Sequence, residues 1–455
     1  MGSGGGKGTR AVASHDEDTT TMGAEAARLA LRGARGVQPD ALWFATSCPA
    51  YLDKTNAAAI AAALRLPNDV AAYDFGGALR SGVGSLVSAL RGSGSTLVVS
   101  ADVRDGLPTS ADESSGGDAG AAVLVGEDDG NLLAEFVAYA SATDEFTDRW
   151  RAPGDRTSKL WEERFGETRY VALGADAFGR ALKSAGLQAD DLGRVIVTGM
   201  HSRAVSALAK KLGTDADGLS SSVGQAGAAH PLLGLASILE DPALSATSPG
   251  STVALVHLAD GADVVIVRAT PALAAWRPPR SISDQIESGA PLAYSKFLAW
   301  RGQIVPEPPR RPEPARVSST AAHRNESWKF GFVGSRDRSS GAIHLPPARV
   351  SMEGGAVDDM EPLAMADVEG TVVTFTVDRL AYSPSPPIVF AIVDFDGGGR
   401  YPVELTDVDA ESVQVGTRVE MSFRRLFSAD GIHDYFWKAR PVRRTDRSEQ
   451  TGELA

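Results

Sequence analysis

The hydrophobic period of this chain changes once, and that change restricts the possible folds more than any other feature. From residue 16 to about 270, apolar runs alternate with Ala/Leu-rich helical patterns. Residues 41–46, 96–101, 119–125, 194–198 and 252–258 are short, rich in Val, Leu and Ala, and read as buried strands. Residues 21–32, 56–64, 82–90, 175–185, 204–212 and 231–239 read as the helices between them, which predicts an α/β fold. After residue 366 the period becomes two: residues 370–378, 388–394, 401–405 and 418–423 alternate, separated by Gly, Asp and Pro turns, and predict a small antiparallel barrel. Prolines at 271, 278, 279, 306, 308, 309, 312 and 314 are among those that break the stretch between. The expected organisation is residues 1–270, a proline-rich linker over 271–330, a second domain over 331–442 and a flexible tail over 443–455.

Charge and cysteine content remove several function classes. The 58 acidic residues outnumber the 45 Lys and Arg, for a net charge of −13. No basic field favours nucleic acid or an anionic membrane, and the basic cluster at Arg301, Arg310, Arg311 and Arg316 is diluted by Glu307 and Glu313. One cysteine, Cys48, permits neither an internal disulfide nor a cysteine-ligated zinc site. No apolar run is long enough to span a bilayer and no secretory leader pattern opens the chain, so a cytoplasmic protein without membrane insertion is expected.

Several motifs carry a resemblance. The opening Arg10-Ala-Val-Ala-Ser-His-Asp-Glu-Asp-Thr-Thr-Thr-Met-Gly-Ala-Glu-Ala-Ala-Arg28 resembles the N-terminal signature of bacterial and archaeal hydroxymethylglutaryl-CoA synthases, in the thiolase superfamily. The resemblance implies an additional opening strand, in whose place this chain has the glycine-rich residues 1–6. Ala45-Thr-Ser-Cys-Pro-Ala-Tyr51 is similar to the Thr-rich turn of ketoacyl synthase III-like enzymes. The synthases place a general acid/base glutamate in this turn, where Thr46 or Ser47 stands here. Asp74-Phe-Gly-Gly-Ala-Leu-Arg-Ser-Gly82 resembles the nucleophile turn, with Leu79 in the cysteine slot. His201 matches the family histidine, Gln225 replaces the family asparagine, and His230 replaces a small residue.

The C-terminal third resembles the acyl-CoA-associated OB-fold proteins known as domain of unknown function 35. The traces are residues 370–377, Gly416-Thr-Arg-Val-Glu-Met421, and two loops laid out like a zinc ribbon. Asp337, Ser340, Ser351 and Gly354 stand where that ribbon would carry four cysteines. The implied fold is thus a thiolase-like α/β domain without its opening strand, followed by an OB barrel with a degenerate, cysteine-less ribbon. No zinc is expected, because Asp337 and His344 cannot complete a tetrahedral set, and His344 is expected at the surface.

Covalent acyl transfer needs a thiolate of lowered pKa, and Leu79 has no nucleophilic atom. Cys48 lies in a turn that forms part of the active-site wall in relatives; it reads either as a buried small hydrophobe or as a substitute nucleophile. His201 can polarise a thioester carbonyl or act as a base, or be a hydrogen-bonded relic of a lost site. His230 either fills the vacated pocket or caps a helix, and the Gln225 amide is displaced by its extra methylene from an oxyanion-stabilising position. Leu79, Gln225, His230 and Cys48 are the expected substrate-binding positions, and His201 the one candidate catalytic group.

Two functions follow. One is a non-catalytic or accessory subunit of a thiolase-type acyl-CoA complex, its OB fold assisting acyl-CoA binding or docking. The other is an acyl-CoA C–C lyase or synthase that uses His201 without a covalent intermediate. The expected partners are a second copy in a homodimer, paired through the apolar runs 96–101 and 119–125, a separate thiolase-type catalytic subunit, and a coenzyme A thioester. No covalently bound cofactor is expected.

Overall fold

The computed structural model describes residues 8–442, apart from residues 35, 128–129 and 247–249. The glycine-rich start at 1–6 and the expected tail at 443–455 lie outside the described residues. The chain divides into two compact units. One holds residues up to 13, 18–58 and 67–289; the other holds residues 14–17, 59–66 and 290 onward.

The first unit runs α1 (Thr19–Gly33), β1 (Ala41–Thr46), α2 (Ala57–Ala63), β2 (Ala71–Gly76), α3 (Ser81–Leu90), β3 (Thr96–Asp102), α4 (Ala111–Ser115) and β4 (Ala119–Val125). It continues with β5 (Ala134–Ala142), a short hairpin of β6 (Arg149–Trp150) and β7 (Lys159–Leu160), α5 (Glu163–Ala185), β8 (Leu192–Gly199), α6 (Ser202–Leu212), α7 (His230–Leu239), β9 (Thr252–Leu258) and β10 (Ala262–Ala269). Helix α1 starts at a reciprocal cap: Thr21 N donates to Asp18 Oδ1 and Asp18 N donates to Thr21 Oγ1, both at 2.9 Å.

Two four-stranded sheets result, ordered β2-β1-β3-β4 and β5-β10-β9-β8. They repeat one pattern: β1 is parallel to β3 and β3 antiparallel to β4, just as β8 is parallel to β9 and β9 antiparallel to β10. One core joins α3 (Val83, Leu86) and α7 (Leu232, Leu235) to residues of both sheets, including Val98, Ala121, Leu255 and Val265. A second core lies between β5, β8, β9, β10 and the pair α5/α6. The order is therefore helix, sheet, helix, sheet, helix, with α3 and α7 in the middle layer. Gly82, in the first turn of α3, permits this middle layer: a Cβ there would stand 1.9 Å from Ala228 O.

Strand β3 lies inside its sheet with both edges paired, so residues 96–101 offer no free strand edge to a second copy. Among the described residues β2 and β4 are the edges of that sheet. Helix α5 starts at Glu163, twelve positions before the expected start at 175, because Gly166 and Gly174 obscure its period.

Residues 271–330, read from the sequence as a linker, carry short helices at Pro271–Ala275, Ile282–Glu287, Tyr294–Trp300, Ser319–Arg324 and Glu326–Lys329. Pro271 does not oppose the first of these, since a proline in the opening turn removes only an N–H that has no helical partner.

The second unit contains a three-stranded antiparallel sheet of β11 (Val333–Asp337), β12 (Ile343–His344) and β13 (Met360–Ala364), ordered β12-β11-β13. It also contains a closed barrel of β14 (Gly370–Asp378), β15 (Ile388–Phe395), β16 (Arg400–Leu405), β17 (Arg418–Ala429) and β18 (Ile432–Pro441), ordered β14-β15-β16-β18-β17. The barrel is not wholly antiparallel as expected, because β16 and β18 close it in parallel at Leu405 and Ala439. Val372, Val393, Met421, Phe423 and Trp437 fill it.

Residues 14–17 tie into this unit by charge. Asp16, 1 % exposed, faces Arg424 Nη1 at 3.2 Å and Lys438 Nζ at 3.0 Å, both cations being equally buried. Burial opposes ionisation of Asp16, but Arg424 and Lys438 outweigh it and hold the carboxyl well below the usual range. Its contribution is therefore complete above the unfolded carboxylate pKa of about 4 and is lost as pH falls below that. Removing one partner of a buried ion pair costs roughly 3–5 kcal/mol. Asp16→Ala should lower the unfolding free energy of the full chain by about that amount in urea titrations at pH 7, and a loss below about 1 kcal/mol would contradict the assignment.

Candidate functional site

A cavity of about 540 Å³ opens within the first unit. The turn after β1 contributes Ser47, the β2–α3 turn contributes Gly77, Ala78 and Leu79, and the β6/β7 hairpin contributes Arg149, Trp150 and Leu160. The loops after β8 and β9 add Met200, His201, Leu258 and Asp260. The sheets place these loops together because β1, β2, β8 and β9 all end on the same side of their parallel pairings. Leu79 and His201 thus share one cavity, as the motif order implies. Cys48, Gln225 and His230 are not among its lining residues.

His201 caps α6. Its Nδ1 accepts from Ala204 N at 3.2 Å, and its Nε2 stands 2.9 Å from the carbonyl oxygen of Glu163. That carbonyl can only accept, so the ring carries its proton on Nε2 and both nitrogens are occupied. His230, 1 % exposed, is held between Asp217 Oδ2 on Nε2 and Ala226 N, which donates to Nδ1 at 3.2 Å. Its contacts are those of a buried structural pair. Gln225 donates its Nε2 to Ser220 Oγ, while its buried Oε1 has no hydrogen-bond partner among the described residues.

Cys48 sits beside a carboxylate that sequence reasoning passed over. Asp102, wholly buried at the end of β3, accepts from Thr46 Oγ1 at 2.9 Å, Ser47 N at 2.7 Å, Ser47 Oγ at 2.8 Å and Ala228 N at 2.8 Å. Arg104, which lines the cavity, stands 3.7 Å away. Burial, followed by the charge of Asp102, pushes the Cys48 thiol far above its ordinary value. A single charged residue closing an apolar strand was the available signal for Asp102.

The cavity also holds acidic groups with no counterpart among the expected site residues. Asp148 and Asp260 both line it, and burial raises both carboxyls above the ordinary range. Arg149 is engaged by Asp112 through two bonds of 2.8 and 2.6 Å. Asp148 follows Phe146 and Thr147 in a loop with no periodic pattern, so nothing in the sequence marks it.

In the second unit, two of the four ribbon positions, Asp337 and Ser340, are hydrogen-bonded to each other. Asp337, at the end of β11, accepts from Ser340 Oγ at 2.6 Å and from Ser339 Oγ at 2.8 Å. Hydrogen bonds, that of the Ser340 hydroxyl first, hold the Asp337 carboxyl well below the usual range, and Ser351 Oγ donates instead to Glu353 O at 2.7 Å. Gly354 follows on a backbone with φ of 79°, which favours glycine. His344 is buried rather than at the surface, because its Nε2 accepts from Met352 N at 3.0 Å and fastens one loop to the other. Among the described residues no cluster of three His, Cys, Asp or Glu side chains is placed to hold a metal ion, and no helix is long and apolar enough to cross a membrane.

Two repeated α/β halves in five layers, with a cavity where the turn before α3 meets the loop after β8, define a thiolase-type fold. The solved structure of MvaS in complex with 3-hydroxy-3-methylglutaryl coenzyme A shares it at a TM-score of 0.54 and 20 % identity, over 68 % of this chain and 85 % of that one. The hydroxymethylglutaryl-CoA synthase of Pyrococcus furiosus is 27 % identical over 266 residues, covering 56 % of this chain and 74 % of its own. A model described as the ChsH2 C-terminal OB-fold domain matches residues 364–424. A DUF35 domain-containing scaffold protein of Methanocaldococcus jannaschii is 25 % identical over 124 residues, 26 % of this chain and 87 % of its own. The chain resembles a hydroxymethylglutaryl-CoA synthase-like, thiolase-type domain fused to an OB-fold domain.

Two outcomes follow from this geometry. Cys48 in the native protein should react with iodoacetamide at pH 8 at least about tenfold more slowly than after unfolding, because the thiolate is the reactive form; equal rates would contradict its placement. His201→Ala should cost about 1 kcal/mol of stability by loss of the α6 cap, and His201→Asn should restore most of it.

Proposed function

We propose that this protein is a non-catalytic or accessory subunit of a thiolase-type acyl-CoA complex. Its synthase-like domain holds a coenzyme A thioester without a covalent bond, and its OB-fold domain assists that binding or docks onto a separate thiolase-type catalytic subunit. One observation carries the reading: the positions where relatives keep reactive groups are occupied by an inert side chain or by groups committed to structure, while the cavity stays open. Leu79 cannot attack a thioester, the Cys48 thiol is held protonated beside Asp102, and both nitrogens of His201 are bonded. The scaffold named in the description of the archaeal OB-fold relative supports an assembling role for the C-terminal part.

The loops around Asp337 fit a degenerate zinc ribbon, a hydrogen-bonded carboxylate standing where metal–thiolate bonds would hold the same turns. The protein is read as a cytoplasmic homodimer, with β4 (residues 119–125) the one edge strand among the two expected pairing runs. The alternative, a C–C lyase or synthase working through His201, requires the imidazole to give up its Ala204 or Glu163 bond before moving a proton.

Intact-mass spectrometry after incubation with acetyl-CoA should show no added acetyl group, and elemental analysis should show no stoichiometric zinc. An acetyl adduct on any side chain, Cys48 above all, would overturn the non-catalytic reading. Purification from the native host should recover a thiolase-type protein at a defined stoichiometry.

A further inference from the structure

The proline-rich stretch is a sequence feature that neither the fold nor the cavity employs. Every residue from 305 to 314 except Arg310 is a proline or stands immediately before one, in Val305-Pro-Glu-Pro-Pro-Arg-Arg-Pro-Glu-Pro314. The pyrrolidine ring fixes φ near about −65°, and its Cδ bars the preceding residue from the helical region. Such a sequence runs extended, as a polyproline II helix.

Residues 305–316 form a strap in the second unit, between the short helices Tyr294–Trp300 and Ser319–Arg324, and the strap joins no sheet among the described residues. Its X–Pro bonds are trans and none of its residues has a positive φ. Arg311 N donates to Pro309 O at 2.8 Å, so the strap turns at Arg310, the one position without a proline constraint. Farther on it is tied down where the Tyr382 hydroxyl donates to Glu313 Oε1 at 3.1 Å.

Three residues per turn sort the run before that bend into edges. Pro306 and Pro309 share one edge, Val305 and Pro308 the next, and together they make an apolar ridge. Val305 is 90 % exposed, and Pro306 and Pro308 are exposed beside it. Glu307 and Arg310 occupy the third edge, where they approach to 3.7 Å, both in solvent. Just past the ridge, the exposed Arg311 and Arg316 make a local cationic end on a chain whose net charge is −13.

A ridge of this kind fits a particular surface. Flat aromatic rings pack against pyrrolidine faces, indole and phenol donors reach carbonyls that no strand ladder has used, and carboxylates pair with arginine. Because the prolines hold the bound shape in advance, little ordering entropy opposes the contact. We propose that Val305-Pro306 and Pro308-Pro309 are a docking ridge for a partner protein whose groove is lined by aromatic rings and ends in carboxylates that receive Arg311. The ridge operates whatever the cavity holds.

Calorimetric titration of the full chain with an isolated SH3 domain, one whose groove takes Pro-x-x-Pro followed by arginine, tests it. The wild type should bind the domain saturably at one to one. Pro306→Ala/Pro309→Ala should weaken binding at least about tenfold by removing the ridge, and Arg311→Glu should do the same by setting like charges together. Glu307→Ala, on the opposite edge, breaks only a solvent-exposed pair and should bind within about twofold of the wild type. The strap lies outside the barrel core, so all these variants should keep the wild-type urea transition. No saturable binding by the wild type at about millimolar domain would overturn the docking ridge. So would a double proline variant that binds like the wild type while Arg311→Glu does not, since attraction would then be by charge alone. A loss in Glu307→Ala equal to that in the proline variant would overturn the assignment of edges.

Discussion

The Asp102 carboxylate holds the first unit's site together. A charge removed from water is costly unless its lone pairs are satisfied, and Asp102 is satisfied by groups from separated parts of the chain: the turn at Thr46 and Ser47, and the amide of Ala228 ahead of α7. One buried anion thereby fixes the end of β3, the turn after β1 and the entry to the middle-layer helix. Burial first, and then this same anion, raise the Cys48 thiol, so the interaction that fixes the turn after β1 also holds the chain's one cysteine protonated.

Seen from this anchor, the fold does not depend on the side chain at position 79. The helix start at Ser81 depends on the close passage of Gly82 past Ala228 and on the apolar packing of α3 against α7, and Leu79 takes part in neither. Three other expected site residues make structural bonds: His201 caps a helix, His230 is paired with the buried Asp217, and Gln225 is bonded to Ser220. The second unit follows the same logic, with Asp337, Ser339 and Ser340 holding a turn by hydrogen bonds and Asp16, Arg424 and Lys438 holding a segment by charge.

Much of this was legible before any coordinates. The alternation of strand and helix to about residue 270, and the shift to period two afterwards, follow from which faces of each element are buried. The placement of Leu79 and His201 in one cavity follows from motif order on that topology. Three things were not legible. The period of helix α5 is obscured by Gly166 and Gly174, whose reasons are tertiary: Asp148 stands behind the first and Leu208 behind the second. The pairing of β3 on both edges depends on sheet order, which the apolar run 96–101 does not encode. Asp148 and Tyr170 are distant in sequence and lie in unpatterned or helical stretches, so only the folded chain brings them to one wall.

The central claim is that the cavity beside Leu79 holds a coenzyme A thioester without forming a bond to it. The most direct test is the dissociation constant for acetyl-CoA of the wild type against Leu79→Trp, whose indole would fill the space at the β2–α3 turn. The account predicts saturable, reversible binding by the wild type and at least a tenfold weaker Kd for the variant, with an unchanged circular dichroism spectrum. Equal affinity in the two proteins, or no binding by the wild type at millimolar ligand, would contradict it.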